Sequence, residues 1–91
     1  MPTAVTDNAA ESRFELATGG QVSYADYERR GQSLVIPYVY APPPLRGTGA
    51  AGRLMEGVTE IARAEGRKIV PLCGYASSWL RRHPEHRDLL A

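Results

Sequence analysis

Three consecutive prolines, Pro42, Pro43 and Pro44, divide this 91-residue chain into two parts of different periodicity. Proline has no N–H to give a sheet and disfavours helical backbone in the residue before it, so neither a strand nor a helix runs through the triplet. Before it, the apolar residues follow the short period of strands. After it, from Thr48, they follow the period of a helix.

In the first part, Arg13–Ala17 alternates apolar and polar, Gly19-Gly20 offers a tight turn, and Gln21–Glu28 continues with Val22, Tyr24 and Tyr27 as strand-favouring residues. Gly31-Gln32 makes a second turn into Ser33–Tyr40, the most strand-like stretch, so a meander of three antiparallel strands is predicted. The apolar phase shifts between Tyr24 and Tyr27, which marks a bulge or the end of pairing. Pro37 interrupts the ladder of the third strand. In the second part, Ala51, Leu54, Met55, Val58, Ile61 and Ala62 fall on one stripe of a helix closed by Gly66, with Arg53, Glu56, Glu60 and Arg63 facing away. Lys68–Cys73 reads as a fourth, more buried strand. A helical segment follows from about Ala76 to Arg82, His83-Pro84 breaks it, and Glu85–Leu90 forms a last turn. The fold class is mixed α/β (α+β), with residues 1–11 as a flexible leader and 12–91 as one domain.

Length and composition narrow the class. Ninety-one residues build one modest core, and 43% hydrophobic with 23% charged residues is the composition of a globular protein. Cys73 is the sole cysteine, which excludes an intrachain disulfide and suits a reducing cytoplasm. The longest apolar run, Leu34–Ala41, is far below the ~20 residues that span a bilayer. Residues 1–11 carry neither the basic start nor the apolar stretch of a secretory signal. A formal net charge of +1 argues against nonspecific attraction to nucleic acid, although Arg81, Arg82 and Arg87 make the tail locally basic. His83 and His86 flank Pro84 at a spacing unusual for zinc, and no metal is expected.

Chemistry concentrates where strand gives way to helix. Residues 47–52, Gly47-Thr48-Gly49-Ala50-Ala51-Gly52, hold three glycines and two alanines. A helix N-terminus presents unpaired N–H groups and the positive end of the macrodipole, and glycines before it let phosphate oxygens approach the backbone. A plain tight turn of small residues packed on the sheet accounts for the same spacing. Gly52 and Gly57 lie within the helical pattern at a cost of about 1 kcal/mol each relative to alanine, so close approach by another group is expected at Gly52.

Arg46-Gly47-Thr48-Gly49-Ala50-Ala51 fits the Arg/Gln-x-x-Gly-x-Gly/Ala signature of the GNAT acetyltransferase superfamily. The surrounding sequence resembles a small single-domain GNAT-like family of about ninety residues. The resemblance runs through Asn8, Arg13-Phe14-Glu15-Leu16, Tyr27, Pro42 with Leu45-Arg46-Gly47, Val70-Pro71-Leu72-Cys73-Gly74-Tyr75, Arg82-His83-Pro84-Glu85 and Asp88-Leu89-Leu90. It implies a reduced GNAT fold: N-terminal antiparallel strands, a central helix after a pyrophosphate loop, a further strand and short C-terminal helices. It also implies an acetyl-CoA-dependent N-acetyltransferase, with coenzyme A on Arg46, Gly47, Thr48, Gly49, Ala50, Ala51 and Gly52 and the pantetheine along the splayed strand at Val39 and Tyr40. The acceptor is a small amine or a protein lysine, and the larger enzymes' N-terminal helices that shape its cleft have no counterpart here.

Within that resemblance Cys73 is a candidate nucleophile or acetyl carrier, and Tyr75 a candidate acid toward the coenzyme A thiolate. A small apolar core residue is the other reading of Cys73, and a packed aromatic that of Tyr75. The family writes His-Thr-Glu-Val-Pro where this chain has Tyr38-Val39-Tyr40-Ala41-Pro42. Tyr38 thus replaces a histidine; a phenol is a poor base at neutral pH, but it can donate a hydrogen bond or act as an acid. A coenzyme A-binding protein without transfer is the alternative function.

Overall fold

A computed structural model describes residues 4–91 of the chain. Among these, five strands form one sheet in chain order: β1 (Thr6–Asn8), β2 (Arg13–Thr18), β3 (Gln21–Arg30), β4 (Ser33–Tyr40) and β5 (Lys68–Pro71). The first four strands are antiparallel neighbours, while β5 returns parallel to β4 after a crossover through helix α1 (Ala50–Glu65). Helix α2 (Gly74–Arg81) follows β5, and a 3-10 stretch, Pro84–Leu89, ends the fold. Mixed α+β architecture is as the sequence indicates.

The expected leader holds structure. Thr6–Asn8 pairs with Glu15–Arg13, and the Asn8 amide donates to Glu15 Oε2 at 3.0 Å. Three residues are too few to show a period, so this edge strand left no pattern in the sequence. Residues 1–3 of that expected leader lie outside the described residues.

Both glycine turns fall as read: Gly19 and Gly20 have φ of 55° and 80°, the left-handed pair that a two-residue hairpin uses. The irregularity also falls as read. Between Asp26↔Tyr38 and Glu28↔Val35, β3 supplies Tyr27 while β4 supplies Ile36 and Pro37, so the extra residue is in β4. Proline with no N–H to share sits at that bulge.

The core gathers on one face of the sheet. Phe14, Leu16, Ala25, Leu34, Ile36 and Ile69 from the strands meet Leu54, Met55, Val58 and Ala62 from α1, with Ala76, Trp79 and Leu80 from α2. The α1 stripe follows periodicity at Leu54, Met55, Val58 and Ala62, with Ile61 partly buried against it and Ala51 outside it, and the helix begins at Ala50 rather than Thr48, with Gly49 as its cap. Gly66 closes it at φ 67°, its N–H reaching the carbonyls of Ala62 and Arg63. Strand β5 stops at Pro71, so Cys73 lies two residues beyond it and caps α2. No helix among the described residues is long and apolar enough to cross a membrane.

Candidate functional site

The parallel pairing of β4 with β5 ends at Ile36↔Pro71. There the two chains part: the N–H of Leu72 and that of Cys73 both turn to the Ile36 carbonyl, at 3.0 and 3.4 Å. From Tyr38 to Tyr40, β4 stays bonded to β3 on one side and, among the described residues, has no strand on the other. Past Tyr40 the prolines break the strand, and a 3-10 turn over Pro43–Leu45 carries the chain round to the glycine loop. The free edge of β4, the loop and the first turn of α1 enclose a cavity of about 510 Å³.

Tyr38, Val39, Tyr40, Arg46, Gly47, Gly49, Ala50, Ala51 and Gly52 line it, as does Tyr75 from α2. Nearly every residue singled out from the sequence is thus brought to one place. Two are not. Thr48 is absent from the lining, its hydroxyl donating to the Leu45 carbonyl within the turn. Cys73 is absent too: it is half-buried and packed against the core. Ala41 and Leu45 line the cavity and were not singled out, because neither carries a functional group that would mark it.

The loop is built to present backbone. Gly47 and Gly49 sit at φ 79° and 86°, left-handed conformations that side-chain-bearing residues rarely adopt. Among the described residues, the N–H groups of Gly47, Gly49, Ala50, Ala51 and Gly52 take no hydrogen-bond acceptor, whereas that of Thr48 reaches Leu45. Five free donors converge where the α1 macrodipole is positive. Two cations flank them: Arg53 Nη1 reaches the Thr48 carbonyl at 3.4 Å, and Arg46 Nε holds the Ala41 carbonyl at 2.9 Å with its guanidinium 5.8 Å from the Tyr40 ring centre.

Gly52 has a neighbour that the sequence did not reveal. A Cβ there would stand 3.4 Å from Trp79 Nε1. Trp79 is 4% exposed, a core residue, and is itself stacked on His83 with ring centres 3.8 Å apart. The two histidines belong to this packing, away from the cavity. His86 Nε2 lies 2.9 Å from Glu56 Oε1, and Arg63, which can only donate, faces His86 Nδ1 at 3.3 Å. The ring proton therefore sits on Nε2. Although donor atoms of Glu56, Glu85 and His86 come within 4.8 Å of one another, the hydrogen bonds and Arg63 account for that grouping.

Tyr75 and Tyr38 face the cavity without a hydrogen-bond partner for either hydroxyl among the described residues. Burial pushes the Tyr75 phenol above its ordinary pKa, partly offset by the charge of Arg82. It stays protonated through neutral pH and beyond, available as a donor. The arrangement can grip a diphosphate at one end, pair an extended amide-bearing chain along the strand edge, and offer a phenolic proton at the parting of β4 and β5.

A family model described as GCN5-related N-acetyl-transferase matches residues 13–89. Among solved structures, the solution NMR structure of a GCN5-like protein from Staphylococcus aureus, provisionally described as an N-acetyltransferase, superposes with a TM-score of 0.76 at 19% identity. The match covers 99% of this chain and 89% of that one, and at this identity it shows a common fold. The search of curated proteins returns no match to this chain.

Proposed function

This chain belongs to the GCN5-related N-acetyltransferase family, and from that premise we propose that it binds acetyl-CoA in the cavity beside β4 and transfers the acetyl group to an amine. The observation that carries the proposal is the meeting, in one cavity, of a strand edge and five N–H groups at the start of α1 that have no partner among the described residues.

The residues fit the coenzyme. The free N–H groups of residues 47–52 and the charges of Arg46 and Arg53 suit the pyrophosphate. The edge of β4 at Val39 and Tyr40 suits the two amides of pantetheine, which pair with it as an added strand would. That order sets the thioester near Tyr38 and Tyr75, where β4 and β5 part. An amine in its neutral form attacks the carbonyl carbon, the carbon–sulfur bond breaks with its electron pair going to sulfur, and the nitrogen gives up a proton to solvent. Tyr75 supplies the proton that the departing thiolate takes up. Cys73, packed against the core and off the cavity lining, has less support as an acetyl carrier, so direct transfer is preferred.

A second reading, coenzyme A binding without transfer, draws on the absence of any histidine or carboxylate from the cavity lining. Two measurements decide. Calorimetric titration with coenzyme A is expected to show one site per chain, and no binding would overturn both readings. Incubation with acetyl-CoA and simple amines, followed by thiol release and intact-protein mass, is expected to show release with no acetylated protein. Binding with neither release nor adduct would leave the second reading standing.

A further inference from the structure

The sheet face turned away from α1 carries a carboxylate without a counter-ion. Two half-buried carboxylates occur among the described residues, Glu15 and Asp26, and both lie on this face. Glu15 is matched twice, by Arg13 Nε at 2.7 Å and by the Asn8 amide at 3.0 Å. Among the described residues, the Asp26 side chain has neither hydrogen bond nor ion pair. Its cross-strand neighbour on β2 is Arg13, yet that guanidinium turns to Glu15 and lies 4.5 Å from the centre of the Tyr24 ring instead.

On its other side Asp26 stands directly opposite Tyr38. Opposed residues on one face of an antiparallel pair bring their Cβ atoms within about 5 Å. Tyr38, at 48% exposure, lines the proposed acetyl-CoA cavity, and Tyr24 lies 6.3 Å from it and 5.2 Å from Tyr40, centre to centre. A carboxylate among tyrosine faces suits an alkylammonium group, through the ion pair and the ring quadrupole together.

We propose that Asp26, with Tyr24 and Tyr38, anchors an ammonium group of the acceptor, and that the acceptor is an alkyl diamine or polyamine. The inference rests on the acyl-transfer reading of the adjoining cavity. A carboxylate favours the protonated form of the amine it holds, and a protonated amine has no lone pair with which to attack a thioester. The nitrogen held at Asp26 is therefore not the one that reacts. A second, free nitrogen on the same molecule reaches the cavity, which is why the class is a diamine and not a monoamine.

Binding tests this without requiring turnover. The whole chain, labelled for amide NMR, is titrated with 1,4-diaminobutane and separately with butylamine, both at neutral pH. The diamine is expected to bind about tenfold more tightly, to shift the amides of Asp26 and Tyr38, and to lose that advantage in Asp26→Asn. Tyr38→Leu, which keeps bulk but removes the ring, is expected to weaken the diamine several-fold and serves should Asp26→Asn fail to fold. Equal affinities for the two amines in the unsubstituted chain, or shifts confined to another surface, would overturn the proposal. Coenzyme A calorimetry on the same sample reports separately on the cavity, so the two ideas fail independently.

Discussion

At the scale of single residues, the site depends on side chains that are missing as much as on those present. Gly52 illustrates this. Alanine there removes the helix-interior penalty of glycine, and its Cβ would rest 3.4 Å from Trp79 Nε1, an ordinary contact at its tight limit. Gly52→Ala is expected to raise stability by about 0.5–1 kcal/mol, while coenzyme A affinity falls about tenfold, or ~1.4 kcal/mol, because the methyl crowds the first-turn N–H groups. Thermal unfolding and calorimetry read the two effects apart; unchanged affinity would show that nothing approaches this turn closely. Tyr75 is the complementary case. Tyr75→Phe keeps the ring and removes the proton, so kcat should fall roughly 100-fold, the low end for a general acid, with KM for acetyl-CoA nearly constant. A rise in KM alone would make Tyr75 a wall of the cavity and not its acid.

At the scale of elements, one arginine joins three of them. Arg29 of β3 donates to both carboxylate oxygens of Glu65 at the end of α1, at 2.9 and 2.7 Å, and to Asp7 of β1 at 3.1 Å. Its guanidinium also lies 4.9 Å from the Tyr27 ring centre. The Arg29 bond holds the Glu65 carboxyl below the ordinary glutamate range; burial opposes it, and the bond from Arg67 adds to the lowering. A depressed carboxyl adds stability that is present above its unfolded pKa of about 4.3 and is lost as pH falls through its lower folded value. Side chains about one-third exposed limit the worth of the pair to about 1 kcal/mol or less. Glu65→Gln should therefore lower stability by that amount in urea unfolding at pH 7, and the deficit should close at a pH below the folded value. An equal deficit at both would assign the effect to packing.

Across the whole molecule, what the sequence disclosed was local. The Gly19-Gly20 hairpin, the bulge at Pro37, the α1 stripe and the Gly66 cap each depend on residues within a few positions of one another, and each is where periodicity and backbone chemistry put it. What it concealed depends on register between distant segments. Strand β1 exists through its pairing with β2 and the Arg29 tie. Cys73 leaves the strand because β4 and β5 part at Pro71, and Asp26 has no ion-pair partner among the described residues because Arg13 turns to Glu15. The glycine loop was legible as a phosphate cradle or a turn; only the cavity brought β4, α1 and Tyr75 together around it.

Because the strand order in the sheet equals the order in the chain, β1 to β4 close through short reversals, and one longer excursion, from Ala41 to Arg67, joins β4 to β5. The entropy of closing a flexible loop grows only with the logarithm of its length, about 0.6 kcal/mol for each doubling. The excursion is also the stretch that carries the glycine loop. Residues added between Pro42 and Gly49 would thus leave every strand pair in register at little cost in chain entropy. The part of the fold that carries the proposed coenzyme site is the part most free to change length.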